Sequence, residues 1–207
     1  MRKFAGAACM LVAVAMLAAA GWMIYRNHAE ESMAGDSAEQ ALYALLAEMQ
    51  AESLTAEPVP QQTTEPLRME IELPEMPVME IDGQEYIGYL EMPTIDVKLP
   101  VMSDWSYPKL RIAPCRYWGS AYDDSMIIMA HNYDRHFGRI STLEIGAPVQ
   151  FVDATGNIYK YVVAKHEILE PGDVEGMTAE EWDLTLFTCT YGGASRVTVR
   201  LERVLAY

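Results

Sequence analysis

Acyl transfer through sulfur needs a cysteine whose thiolate a neighbour stabilises, and a donor for the oxyanion that develops on the attacked carbonyl. Residues 81–207 hold two cysteines, Cys115 and Cys189, and three histidines, His131, His136 and His166. Cys189 closes the β-type run Asp183-Leu184-Thr185-Leu186-Phe187-Thr188-Cys189 and meets Thr190-Tyr191-Gly192-Gly193, where the glycines permit a tight turn. A reactive group there is held by a rigid strand yet open to substrate. Cys115, in Ala113-Pro114-Cys115-Arg116-Tyr117, has no comparable turn and reads as a buried thiol. His131 follows the apolar strand Met126-Ile127-Ile128-Met129-Ala130 and so also stands at a strand end. A lone histidine in such a place is more often structural, and only pairing with Cys189 makes it a candidate acid or base. His136 falls in the following loop and His166 on the exposed face of a strand. The five-residue step from His131 to His136 fits no common ligand spacing, so no metal is expected. Past Gly193 the last strand alternates, with Val197, Val199 and Leu201 on one face and Arg196, Thr198, Arg200 and Glu202 on the other. Arg196 lies nearer the Cys189 turn, where a guanidinium could hold an oxyanion, whereas Arg200 reads as part of a solvated face.

The elements that must position these residues are short strands. β-type runs recur at Tyr86–Met92, Val97–Met102, Met126–Ala130, Val149–Asp153, Ile158–Leu169, Leu184–Cys189 and Val197–Val204, and Asp153-Ala154-Thr155-Gly156-Asn157 is the clearest hairpin signal. Helical pattern is confined to a turn or two around Arg139–Ile145 and Thr178–Trp182. Seven or eight strands in this length predict an all-β closed barrel or sandwich.

The rest of the chain is different material. Of 207 residues, 51% are hydrophobic and the net charge is −15, too apolar for a disordered acidic chain and too acidic for a nucleic-acid binder. From Phe4 to Tyr25 no residue is charged, and a helix of that length spans a bilayer core of roughly 30 Å. Arg2 and Lys3 precede it and Arg26 is followed by acids, so the N-terminus is expected in the cytoplasm and the remainder outside. A cleaved signal peptide ending near Ala18-Ala19-Ala20 is the competing reading, although such apolar cores run only ~7–15 residues. Residues 27–80 carry twelve acids and one base, Arg68, and read as a partly helical, Pro-rich spacer. Within it Ala38 to Leu54 is amphipathic, with Leu42, Leu45, Leu46 and Met49 at helical spacing. That stripe could pack on the next domain or on a partner helix, but a marginal helix in a solvated stalk is the simpler expectation. The charge divides as +3 for residues 1–26, −11 for residues 27–80 and −7 for residues 81–207. Three zones follow: an anchor (1–26), a spacer (27–80) and a strand-rich domain with its own core (81–207), which the resemblance below makes the catalytic one.

Together these residues resemble the sortases, membrane-anchored cysteine transpeptidases of Gram-positive surfaces. Thr185-Leu186-Phe187-Thr188-Cys189 matches the TLxTC signature in its four fixed positions, Ala130-His131-Asn132 resembles the strand-end histidine, and Arg196 matches the arginine of the final strand. The resemblance implies a closed eight-stranded sortase-like β-barrel with one or two short helices. It also implies chemistry. Cys189 thiolate would attack the threonine carbonyl of an LPXTG-like sorting signal on a surface protein while Arg196 steadies the oxyanion. His131 would protonate the leaving amine and later accept the proton of an amine nucleophile from a peptidoglycan precursor. Thr188, beside the nucleophile, would contact substrate, and no cofactor is needed. Three departures stand out: Arg196 follows Cys189 by only seven residues, Tyr191 occupies a position where some relatives carry an acid, and no clear lid precedes the barrel. Loop acids Asp123, Asp124, Asp173 and Glu175 invite a calcium site but read more simply as solvated charges. A Cys115–Cys189 bridge would silence the enzyme. Competing functions are a papain-like hydrolase, whose cysteine would precede its histidine, and a non-enzymatic surface adhesin or scaffold.

Overall fold

The computed structural model describes residues 2–55, 75–179 and 181–204, so the Pro-rich part of the expected spacer around Pro58, Pro60 and Pro66 lies outside the described residues. Among the described residues nine strands follow an N-terminal helix: β1 (Met79–Ile81), β2 (Gln84–Met92), β3 (Val97–Met102), β4 (Cys115–Trp118), β5 (Met126–Met129), β6 (Pro148–Asp153), β7 (Ile158–Leu169), β8 (Leu184–Cys189) and β9 (Arg196–Arg203). Their order is β1-β2-β3-β4-β5-β8-β9-β7-β6, and β6 pairs back onto β2, which closes an eight-stranded barrel with β1 as an added edge. Closure removes all but that short edge. Inward residues such as Leu90, Val101, Ile128, Phe151, Leu186, Val199 and Leu201 fill the interior. The β6–β7 hairpin forms at the expected turn, where the buried Asp153 carboxylate accepts hydrogen bonds from Thr155, Asn157, Tyr122 and Tyr159.

Two strands escaped the sequence reading. β1 is three residues long, and β4 lies in a run too short and mixed to show alternation. Short helical turns also differ from expectation. One 3₁₀ turn, Ile140–Thr142, falls where a helical turn was anticipated, but the turn expected at Thr178–Trp182 forms earlier, as α3 (Val174–Met177), because Asp173 caps it through the Gly176 N–H at 2.9 Å. α2 (Tyr107–Leu110) starts at Ser106, whose hydroxyl caps Lys109 N–H.

The largest departure is α1, a single helix from Arg2 to Thr55. Residues 10–28 are exposed, and the helix is long and apolar enough to cross a membrane. Beyond them it is no solvated stalk. Ala34, Ala38, Ala41, Leu42 and Leu45 are buried against the barrel, Leu45 in a cluster with Met79, Tyr86 and Met102. The small residues let the helix approach closely: a Cβ on Gly35 would lie 2.6 Å from the Arg135 side chain. Four polar contacts fix the same face to the loop after β5. Glu31 accepts the Asp134 N–H at 2.7 Å, Arg135 bridges Asp36 and Glu39 at 2.6 Å each, and His136 Nε2 meets the Ala34 carbonyl at 3.3 Å. The acids that looked like a stalk's solvated charge are in part the barrel's attachment points.

Candidate active site

Backbone register assembles the site. β8 and β9 are antiparallel, and Cys189 and Arg196 are directly opposed partners at the end of the pair. β5 and β8 are parallel, with Met129 beside Phe187. The alignment continues one step beyond β5, since Ala130 N–H donates to the Phe187 carbonyl at 3.2 Å and Thr188 Oγ1 donates to the Ala130 carbonyl at 2.8 Å. His131 therefore leaves β5 at the same barrel end at which Cys189 ends β8. Thr188 is buried and its hydroxyl is committed to tying the two strand ends together.

The turn between Cys189 and Arg196 is short because it is closed on itself. Thr190 N–H donates to the Ser195 carbonyl at 2.9 Å, Ser195 N–H to Thr190 Oγ1 at 3.0 Å, and Gly192 and Gly193 take the positive φ values of 86° and 78° that a left-handed turn requires. Arg196 folds back on this turn, its Nη1 donating to the Gly193 and Ser195 carbonyls at 3.3 and 3.2 Å.

Cys189 and Thr188 open on a cavity of about 780 Å³. One wall is the barrel, with Val197, Tyr191, Asn132 and Tyr133; the other is α1, with Ile24, Asn27, His28, Glu30 and Glu31. No lid was legible in the sequence, yet a helix from the far N-terminal part of the chain walls the site.

Electrostatics separate the histidines and thiols. Burial holds the His131 imidazole below its ordinary range, Arg111 pushes the same way, and Glu30 on α1 opposes both. The Tyr133 ring lies on His131 with centroids 4.8 Å apart. Burial therefore disfavours the His131 imidazolium, and Glu30 is the neighbour that favours it. His136 is fully buried, its pKa pushed down to about 4 chiefly by burial, and serves as the socket for α1. His166 is strand-borne and exposed as expected, with Nε2 2.8 Å from the Leu143 carbonyl. Cys115 is buried with its thiol pushed up to about 12 by burial, and both domain cysteines are free, so the bridge that would silence Cys189 is not formed. Arg200 corrects the solvated reading. It is buried and bonded to Glu167 and Thr185 at 2.9 Å, to the Met177 carbonyl at 3.0 Å and to the Gly176 carbonyl, which clamps α3 against β8 and β9. Among the loop acids, Asp124 pairs with Arg203, Asp123 bonds Ser120 and Ser125 in its own turn, and Asp173 caps α3. Among the described residues no group of three or more His, Cys, Asp or Glu is arranged to hold a metal.

Two functional neighbours were missed. Tyr133 stands two residues from His131 and could have been suspected from that proximity. Glu30 and its neighbours on α1 carried no local signal, since only the tertiary fold brings them to Cys189.

A profile of the Sortase domain matches residues 90–204, more than half of the chain, including β5, β8 and β9. The chain belongs to the sortase family. No curated protein matches it in sequence. Solved sortases share the fold. Sortase C1 from Streptococcus agalactiae is 28% identical with a TM-score of 0.54, over 62% of this chain and 72% of that one. Sortase C1 from Streptococcus suis is 26% identical with a TM-score of 0.52, over 59% and 74%. Sortase A from Corynebacterium diphtheriae, at 22% identity and a TM-score of 0.53, aligns over 60% of this chain and 63% of its own length, so the match spans less than two thirds of that relative. With the family established, the eight-stranded closed barrel and its TLxTC strand are the sortase scaffold, and the α1 wall is how this sortase encloses its thiol.

Proposed function

We propose that this sortase is a membrane-anchored transpeptidase. Residues 4–25 span the cell membrane with the N-terminus in the cytoplasm, and the catalytic domain from residue 81 works outside. Cys189 is the nucleophile, attacking the threonine carbonyl of an LPXTG-like sorting signal. The tetrahedral oxyanion is held by Arg196, once its guanidinium exchanges the turn carbonyls for substrate. His131 takes the proton that leaves the Cys189 thiol and passes it to the leaving amine as the thioacyl-enzyme forms; an amine of a peptidoglycan precursor then takes the acyl group, His131 accepts its proton, and the Cys189 thiolate is released. Thr188, its hydroxyl spent on the Ala130 carbonyl, positions the thiol and lines the cavity that would take substrate. The observation that carries this reading is the opposition of Cys189 and Arg196 across β8 and β9 beside the strand end that bears His131. The charge pattern supports the direction of display, because Arg2 and Lys3 precede the apolar run and the single flanking base after it, Arg26, gives way to acids.

The test is the full chain in detergent micelles with an LPXTG-type peptide and a small amine, read by mass spectrometry. A transfer product that disappears in Cys189→Ala supports the reading. Absence of product with a set of sorting-motif variants, together with a Cys189 thiol that alkylates no faster than a model thiol, would leave a surface scaffold on the same barrel as the better account.

A further inference from the structure

We infer that the Cys189 cavity opens at the plane of the lipid headgroups and that the β8–β9 turn bearing Tyr191 rests on the bilayer surface. The inference depends on the anchoring proposed above and adds to it a fixed height for the active site. α1 runs without a break from the apolar segment into its barrel contacts, so no joint separates anchor from catalytic body. The cavity is walled by Ile24, which belongs to the apolar run itself, and then by Asn27, His28, Glu30 and Glu31. From Tyr25, the last residue of that run, to Glu31 is six residues, about 9 Å along a helix axis. The usual tilt of ~20° changes that height little. The cavity wall therefore runs from the hydrocarbon boundary at Ile24 to roughly 10 Å above it at Glu31, a span that brackets the headgroup layer of about 5–8 Å.

Exposed aromatics fall at the same level. Trp22 and Tyr25 on α1 are 62% and 66% exposed, and amphipathic rings of this kind favour the membrane interface. Across the cavity Tyr191 is 97% exposed at the tip of the closed Thr190–Ser195 turn. A ring so placed loses apolar contact with water only if something covers it, and the surface that α1 brings to it is the bilayer. Nor can the barrel swing away, since Ala34 to Leu45 are buried against it and Glu31, Asp36 and Glu39 hold the loop that follows His131.

A lipid whose headgroup carries a maleimide tests this. The full chain with Cys9→Ser is reconstituted in phosphatidylcholine vesicles containing that lipid, and a second protein carries Cys9→Ser, Cys189→Ala and Ile158→Cys. Position 158 is exposed at the far end of β7, whose other end, Leu169, pairs with Arg196, so the two thiols lie at opposite ends of the barrel. Labelling is read from the intact mass and normalised to the rate with a soluble maleimide. The lipid reagent is expected to label Cys189 at least about tenfold faster than the thiol introduced by Ile158→Cys, because only Cys189 shares the high local concentration of the bilayer surface. Equal normalised rates, or a Cys189 that escapes the lipid reagent while reacting with the soluble one, would overturn the inference and leave the anchoring reading standing. A chain that fails to float with the vesicles would overturn both.

Discussion

Replacing Leu45 by alanine should destabilise the whole barrel, although the residue lies in a segment with the composition of a stalk. Leu45 is fully buried between α1 and the β1–β3 side of the barrel, against Met79, Tyr86 and Met102. Truncating a buried leucine removes its transfer free energy and leaves a cavity, about 2–5 kcal/mol in all. For a body of this size each kcal/mol moves Tm by about 2–4 °C, so a fall of about 6–12 °C is expected for a loss of ~3 kcal/mol. Leu54, on the same helix but 82% exposed, is the control, and Leu54→Ala should move Tm by no more than about 1 °C. The assay is thermal unfolding of the full chain in micelles followed by near-ultraviolet dichroism, where the barrel's aromatic residues report. If L45A lowers Tm by less than about 2 °C while the helix exchanges its amide protons freely, α1 is not part of the cooperative unit and its role as a cavity wall fails.

Acidification should loosen the same attachment. His136 titrates at about 4 in the folded chain against about 6.5 unfolded, so its contribution is complete above 6.5 and is lost as pH falls from 6.5 toward 4, about 3 kcal/mol across that window. His136→Gln should flatten this part of the stability–pH curve, and an unchanged slope would refute the assignment. At His131 two opposite substitutions give a signed test by imidazole NMR titration: Arg111→Ala should raise its pKa and Glu30→Gln should lower it, and shifts of the same sign would exclude Glu30 as its electrostatic neighbour. Among the thiols, iodoacetamide at pH 8 should modify Cys189 and leave Cys115 untouched until the chain unfolds, because burial raises the Cys115 pKa to about 12. Rapid labelling of Cys115 in the folded chain would contradict its burial.

Much of this arrangement was legible in the sequence, for a reason that can be stated strand by strand. β6, β7 and β8 present clean runs or a strong turn, and the TLxTC strand with His131 and Arg196 in order pointed to the barrel end at which Cys189 and Arg196 face each other. What stayed hidden was whatever depends on a surface supplied from far along the chain. Arg200 sits on the polar side of an alternating strand, yet α3 covers that side and Gly176, Met177 and Glu167 complete the guanidinium's bonds. Alternation reports which residues share a face and cannot report that both faces are covered. α1 is the same case on a larger scale. Its buried stripe is made partly of Ala34, Ala38 and Ala41, whose value is closeness of approach and which carry little hydrophobic signal.

The bond from Thr188 to the Ala130 carbonyl carries a consequence for how this sortase can diversify. Since β5 and β8 are parallel neighbours, the chain must leave one barrel end and return before β8 begins, and residues 130–183 supply that excursion through β6, β7 and α3. The spacing between Cys189 and His131 is nevertheless set locally, by two adjacent strand ends locked to each other. Insertions or deletions in the excursion can reshape the walls around Cys189 while Cys189 and His131 keep their separation, so the surroundings of the thiol and its pairing with the histidine are free to evolve at different rates within one small barrel.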